Sequence, residues 1–238
     1  RVWREERGRV EHSAASIVER LRSFGGRDAG AVIPDSSVLD VAVRDYAGSF
    51  DHARGGFGAG TKFPRPSELL FLLREHVRTG ADQPRDMTLA TLRAMALGGM
   101  RDHIGGGFHR YSVDAAWRVP HFEKMLYDQA QLVLAYLEAA QISHDPFFAD
   151  VATDTLDYVR RDLTHPEGGF YSAEDADSVP PELVHEASPH KREGAFYVWR
   201  DDEIGAALGD DAGAFRLRYG VLPGGSAPFD PQNAFTQR

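Results

Sequence analysis

The chain has 238 residues, 42% of them hydrophobic and 26% charged, with a formal net charge of -9. Such a chain is long enough to bury about 70% of its unfolded surface in a globular core. Its acidity argues against nucleic-acid or anionic-membrane partners, which attract clustered Lys and Arg. The absence of cysteine excludes disulfides, a thiolate nucleophile and a cysteine-ligated zinc. No apolar run approaches the roughly 18 residues that span a bilayer, and Arg1 to Glu6 does not read as a signal peptide, so a cytoplasmic protein with no membrane partner is expected.

In chain order, Trp3 to Leu21 predicts a separate amphipathic helix and Phe24 to Asp35 a linker. The expected organisation is therefore residues 1-30 as helix and linker, and 31-238 as the main body. Val38 to Ser49 reads as an amphipathic helix and is followed by Gly55-Gly56-Phe57. Next comes Thr61-Lys62-Phe63-Pro64-Arg65-Pro66, leading into the apolar run Leu69 to Leu73. A short turn, Gly80 to Pro84, precedes a second amphipathic helix at about Asp86 to Leu97. Gly106-Gly107-Phe108 follows, then His109-Arg110-Tyr111-Ser112 and Pro120-His121-Phe122-Glu123-Lys124-Met125. The apolar run Leu132 to Leu137, a short turn at Ser143 to Pro146 and the amphipathic helix Phe147 to Leu163 complete a third unit, closed by Gly168-Gly169-Phe170.

The Gly-Gly-Phe triplets recur 51 and 62 residues apart, the mark of a repeated supersecondary unit. Helices before each triplet have one wet face: Phe148, Val151, Ala152, Thr155, Leu156 and Val159 form a stripe opposite Asp150, Asp154, Asp157, Arg160 and Arg161. Helices after the first two triplets are apolar nearly all round and must be covered on every side. Outer helices wet on one face, alternating with buried inner ones, describe two concentric rings. Short turns after inner helices and long Gly-rich loops after outer ones place all the long loops at one mouth. The fold class read from this pattern is all-α, an α/α toroid with short β-hairpins in those loops.

The loop Thr164 to Glu203 is expected to hold a hairpin between Phe170-Tyr171-Ser172 and Ala195 to Trp199, around a polar stretch Val179 to Glu193. Short helices at Asp201 to Leu208 and Asp211 to Tyr219 precede a Pro/Gly-rich tail. A ring of six such hairpins needs about 350 residues, so a partial toroid is expected. Its apolar flanks would be covered by the remainder of the ring or by another chain.

Gly55 to Gly58 with Lys62 to Pro66, Asp102 to Ser112, Trp117 to Gln129, and Gly168 to Ser178 with Phe196 to Trp199 resemble one group. It is the thioredoxin-domain-containing family that includes spermatogenesis-associated protein 20 and its bacterial relatives. His121 to Gln129 is the most specific segment of the likeness. The resemblance implies an (α/α)6 toroid similar to six-hairpin glycosidases and N-acylglucosamine 2-epimerases, and a sugar as substrate class. It also implies an N-terminal thioredoxin-like domain, of which these residues show no trace.

Within this frame the candidate catalytic residues are His109, His121, Asp128 and Asp175. His121, after Pro120, reads as the start of an inner helix, where the dipole favours a neutral imidazole able to act as a base; a plain helix cap is the competing reading. Asp128 at i+7 would share its face, as acid, base, sugar anchor or ion-pair partner. His109 and Arg110 sit in the glycine loop beside Tyr111 and Trp117, as substrate contacts or as braces. Glu123 suits the first helical turn.

Asp175 and Asp177 lie in the acidic stretch Glu174 to Ser178, which reads as an acid/base pair or as loop hydrogen bonding. That stretch lacks the spacing of a calcium loop, so no metal and no cofactor is expected. Lys62, Arg110, Tyr111, Trp117, Glu123 and Asp177 are the candidate substrate contacts, Tyr111 and Trp117 by stacking. The expected activity is a sugar epimerase, isomerase or glycosidase-like reaction. The alternative is a non-catalytic scaffold working with a thioredoxin-like domain.

Overall fold

The computed structural model describes residues 2-25 and 33-226. The chain divides after Asp40 into two compact units. The first contains α1 (Val2–Glu5) and α2 (Arg7–Gly25), the latter stitched by Arg7 and Glu11 one turn apart. The linker read at Phe24 to Asp35 lies largely outside the described residues.

The second unit is built from α3 (Ser37–Ser49, entering it at Val41), α4 (Pro66–Thr79), α5 (Asp82–Leu97), α6 (Leu126–Ser143) and α7 (Pro146–Asp162), followed by α8 (Asp201–Leu208) and α9 (Ala212–Tyr219). The helices α4 and α5, and α6 and α7, form antiparallel hairpins joined by two residues each. Gly80 at φ 73° closes α4, while His144 at φ 56° closes α6, and the Asp145 carboxylate caps α7 by accepting from Phe147 N. The inner helices α4 and α6 pack on each other, with α3, α5 and α7 outside. Leu69, Leu72 and Leu73 meet Leu132, Ala135, Tyr136 and Ala139, with Met87, Leu92 and Met95 of α5 and Phe148 and Val151 of α7 behind them. Each large apolar side chain contributes about 1.5–3 kcal/mol on burial. The buried Tyr136 hydroxyl donates to Leu92 O at 2.7 Å. This is the α/α toroid arrangement, with no closed sheet among the described residues. Leu134 and Leu137 of α6 remain exposed, leaving part of this inner helix uncovered among the described residues. No described helix is long and apolar enough to cross a membrane.

Every outer helix ends in the same turn. Antiparallel bridges join Phe50 to Phe57, Arg101 to Phe108 and Thr164 to Phe170, and both glycines of each triplet take positive φ. The first turn packs on the second half of α5, where Gly56 N donates to Thr91 Oγ1 at 2.9 Å; the second packs on α7 at Asp154 and Tyr158. The turns thus share one end of the ring, the end at which α4 and α6 begin. Glycine is required by space as well as by φ: a Cβ on Gly56 would lie 2.6 Å from Trp117 Cζ2, and one on Gly107 would overlap the Tyr158 ring.

A lysine clasps each of the first two turns. Asp51 Oδ1 accepts the backbone N–H groups of Ala53 and Arg54, and Asp102 Oδ1 those of Ile104 and Gly105. Lys62 Nζ then donates to Asp51 Oδ2 at 2.6 Å and Gly55 O at 2.5 Å, while Lys124 Nζ donates to Asp102 Oδ2 and Gly106 O, both at 2.9 Å. Both ammonium groups are buried against aromatic rings, Trp117 for Lys62, Tyr158 and Tyr197 for Lys124. The third turn has His165 in place of the aspartate, accepting from Glu167 N.

Two expectations are corrected. The helix read from His121 begins only at Leu126, because the preceding residues pair sideways as strands. β1 (Tyr111–Ser112) pairs with β2 (Pro120–His121), and β3 (Lys124–Met125) with β4 (Ala173–Glu174). His121 and Asp128 therefore do not share a helical face. The hairpin of the long loop is formed by β5 (Asp177–Ser178) and β6 (Arg192–Glu193), not by the aromatic segments. Ala195 to Val198 makes a turn on Gly194 O, which drops the Tyr197 ring between Phe122 and Lys124. Burying that ring outweighs the strand preference of the segment.

Candidate functional site

At the mouth, Lys62 exchanges two backbone hydrogen bonds of 2.9 Å with Ser112, a one-residue antiparallel bridge beside the two-stranded sheet of β1 and β2. Alternate residues of a strand face opposite sides. Lys62 therefore points into its clasp while Phe63 points outward. Phe63 stacks on Tyr111 (centroids 4.7 Å apart, 28° between planes), and Tyr111 stacks on His121 (5.0 Å, 24°). The loop between β1 and β2 is held by Asp114, whose carboxylate accepts from the backbone N–H groups of Ala116, Arg118 and Val119.

Beside this ladder lies a cleft of about 410 Å³, lined by Phe63, Arg65, Arg110, Tyr127, Asp128 and Gln131 and reaching the first residues of both inner helices. Asp128 is the third residue of α6 and is only 6% exposed. Its Oδ2 has no hydrogen-bond partner among the described residues. Burial pushes the carboxyl up to about 6; Arg110 opposes the rise and Glu123 reinforces it. A helix N-terminus stabilises a carboxylate by roughly 0.3–1 kcal/mol, too little to offset that desolvation. Arg110 bonds Glu123 at 2.8 Å, and Glu123 Oε2 stands 3.8 Å from His121 Nε2. On the other side of the imidazole, Nδ1 lies 2.6 Å from Glu193 Oε1, an oxygen that can only accept, so Nδ1 donates there while Nε2 faces Glu123.

His121, Glu123, Arg110, Tyr111 and Asp128 thus form one connected group, although His121 reaches the cleft through Tyr111 and Glu123 and does not itself line it. The remaining candidates lie elsewhere. His109 is 3% exposed, donates from Nδ1 to Phe122 O at 3.0 Å, and meets Phe122 and Tyr197 edge-on. Burial, with Lys124 nearby, pushes it down to about 3 and keeps it neutral. Trp117 is buried over Gly56 and Lys62, its indole N–H given to Arg54 O, so it presents no open face. Lys62 serves the turn clasp. Asp175 is exposed and pairs with Lys191 at 3.2 Å; the Asp177 N–H and that lysine hold its carboxyl below the usual range. Asp177 is exposed on β5.

Glu193, Arg65, Tyr127 and Gln131 escaped the sequence reading. Glu193 lies 72 residues from its histidine, at the end of a stretch that reads only as polar loop. Tyr127 and Gln131 flank Asp128 in sequence, and helical spacing from it would have suggested Gln131. Among the described residues no cluster of three or more His, Asp or Glu is arranged to hold a metal.

No family model matches the chain. It is 52% identical over 159 residues to spermatogenesis-associated protein 20 of Homo sapiens, covering 65% of this chain and 20% of that protein. It is 39% identical over 215 residues to an uncharacterized protein of Caenorhabditis elegans, covering 87% of this chain and 28% of that one. The chain thus spans between a fifth and three tenths of the length of these relatives. Among solved structures it resembles a sugar epimerase from a ruminal bacterium (TM-score 0.52, 17% identity, 77% of this chain and 52% of that chain). It also resembles the cellobiose 2-epimerase from Spirochaeta thermophila (0.51, 17%, 77% and 50%). At such identities the likeness is one of fold. The chain is therefore a homologue of a segment of spermatogenesis-associated protein 20, built on the α/α toroid shared with the 2-epimerases.

Proposed function

We propose that the cleft at the start of α4 and α6 binds a sugar and that the toroid processes it by proton transfer, as an epimerase, an isomerase or a glycosidase-like enzyme. The observation that carries this reading is the buried, unpartnered Oδ2 of Asp128 beside Arg110. A buried carboxyl left without a partner costs about 1–3 kcal/mol, and a ligand hydroxyl would satisfy it. Arg110 and the exposed Tyr127 offer further donors, and Phe63 an apolar face. The solved structures of the same fold named as sugar epimerases support the substrate class.

In the reaction, Asp128 holds a proton near pH 6 and acts as the acid. His121, oriented by Glu193, serves as the base by relay: Glu123, whose Oε2 lies 3.8 Å from Nε2, carries the proton from a carbon next to a sugar carbonyl to the imidazole. Glu193 is a positioning residue. The test is nuclear magnetic resonance in deuterated water with a panel of aldoses and ketoses. Deuterium enters C2 of at least one sugar in the wild type, and the uptake falls on His121→Ala or Asp128→Asn. No uptake across the panel overturns the epimerase and isomerase version; no saturable binding of any sugar overturns the site.

A further inference from the structure

We infer that a second cleft, between Arg118 and Arg218, binds a phosphomonoester carrying a flat apolar group. The cleft has a volume of about 550 Å³ and lies between the end of α5, the segment from Arg118 to Phe122, and the end of α9. This size lies within the range of small-molecule sites. Its buried floor is apolar, with Val119 and Phe122, Leu97 stands exposed at its edge, and its polar lining holds Arg118, Arg218, His103 and Tyr219. Among the described residues no carboxylate lines it, in a protein of net charge -9. Arg118 and Arg218 are exposed, and neither guanidinium meets an acid among the described residues. Their neighbours behave otherwise: Arg200 pairs with Asp202 at 3.0 Å and Arg216 with Asp201 at 2.5 Å. Two unpaired guanidiniums over an apolar floor match an oxyanion joined to a ring, since each planar fork grips phosphate oxygens two at a time.

The wall that carries Arg118 is rigid. Gly99 N donates to Trp117 O at 2.6 Å, and a Cβ on Gly99 would collide with Arg118 O. The Asp114 carboxylate holds the Arg118 N–H, and Trp117 before it sits at φ 60°. His103 donates from Nε2 to Gly98 O at 2.8 Å, tying the opposite lip to the end of α5. On the far side Arg218 lies beside the Tyr219 ring, 5.7 Å from its centroid. The Arg118 guanidinium is thus offered from anchored backbone, so binding has to order the two side chains but not that loop.

Calorimetric titration of the chain with phenyl phosphate, inorganic phosphate and phenol tests the assignment. Phenyl phosphate is expected to saturate one site about tenfold more tightly than inorganic phosphate, with phenol not saturating. Arg118→Gln and Arg218→Gln should each weaken it about tenfold. Both side chains are exposed and unpaired, so the variants keep the wild-type circular dichroism and melting temperature. Asp128→Asn leaves the affinity unchanged, which separates this site from the sugar cleft. Absence of saturation by phenyl phosphate, unchanged affinity in both arginine variants, or equal saturation by phenol overturns the assignment.

Discussion

Lys124 Nζ meets Asp102 Oδ2 at 2.9 Å, and neither side chain is more than slightly exposed. The pair repeats, 62 residues later for the lysine, what Lys62 does with Asp51. Burial alone would raise the Asp102 carboxyl, but the Lys124 charge and hydrogen bond, together with the N–H groups of Gly105 and Ile104, hold it below its ordinary value.

Breaking that pair strands a buried charge, at a cost of about 3–5 kcal/mol. Lys124→Met is therefore expected to lower the denaturation midpoint strongly. Lys124→Met combined with Asp102→Asn should lose less than the sum of the two single changes. Because the folded Asp102 is depressed, its contribution is complete above the unfolded carboxylate value near 4 and is lost as pH falls through the folded one. The gap in midpoint between wild type and the double variant should narrow as the pH of the denaturant titration falls below about 4. A gap that stays constant would remove Asp102 from the clasp.

The three turns share a sequence but not an environment. Phe108 is fully buried, while Phe170, the corresponding residue of the third turn, is 63% exposed. Phe108→Ala is expected to cost about 3–5 kcal/mol and Phe170→Ala under about 1 kcal/mol. Alanine at Gly107 meets both the Tyr158 ring and a φ of +74°, whereas at Gly169 only the φ of +79° opposes it, about 1–2 kcal/mol. Equal losses at Gly107 and Gly169, read by thermal unfolding, would contradict the packing of the second turn on α7.

Local periodicity carried the toroid. The wet stripe of α7, the apolar runs of α4 and α6 and the two-residue turns between them are all legible within a dozen residues of sequence. What was not legible depends on distant pairing. β2 and β3 are two residues long and exist because Tyr111 and Glu174 offer partners, so Pro120 to Met125 reads as a helix start when taken alone. Lys62 and Lys124 stand out as the lysines of the motif-like segments, but the clasp that holds them needs the positive-φ glycines and cannot be inferred from residue type. Asp128 was visible as a polar residue at the mouth. Its missing partner was not.

Glu193 fixes which His121 nitrogen carries the hydrogen, through a contact of 2.6 Å at Nδ1. Nitrogen-15 spectra of the imidazole in the neutral form are expected to show the Nδ1–H tautomer in the wild type. Glu193→Gln should shift part of the population to Nε2–H, while the fold, reported by the amide spectrum of α6 and α7, stays as it was. An unchanged tautomer ratio would show that Tyr111 stacking, and not the carboxylate, sets the ring.

Asp128 offers the sharpest pH test, because its folded carboxyl titrates near 6 and the unfolded one near 4. Between those values the folded state binds more protons than the unfolded state, so stability falls as pH rises through that window. Below about pH 4 both states are protonated and the penalty vanishes; above about pH 6 it is fully felt. Asn at this position has the shape of the carboxyl without the charge. Asp128→Asn should thus match the wild type near pH 4 and exceed it by about 1–3 kcal/mol at pH 7 to 8, read from denaturant melts at several pH values. A sugar that hydrogen-bonds Oδ2 would reduce this difference as its concentration rises above its dissociation constant, linking the stability measurement to occupancy of the cleft. If the two proteins keep the same difference from pH 4 to pH 8, Asp128 titrates as an ordinary surface carboxylate, and the acid assigned to the site is lost.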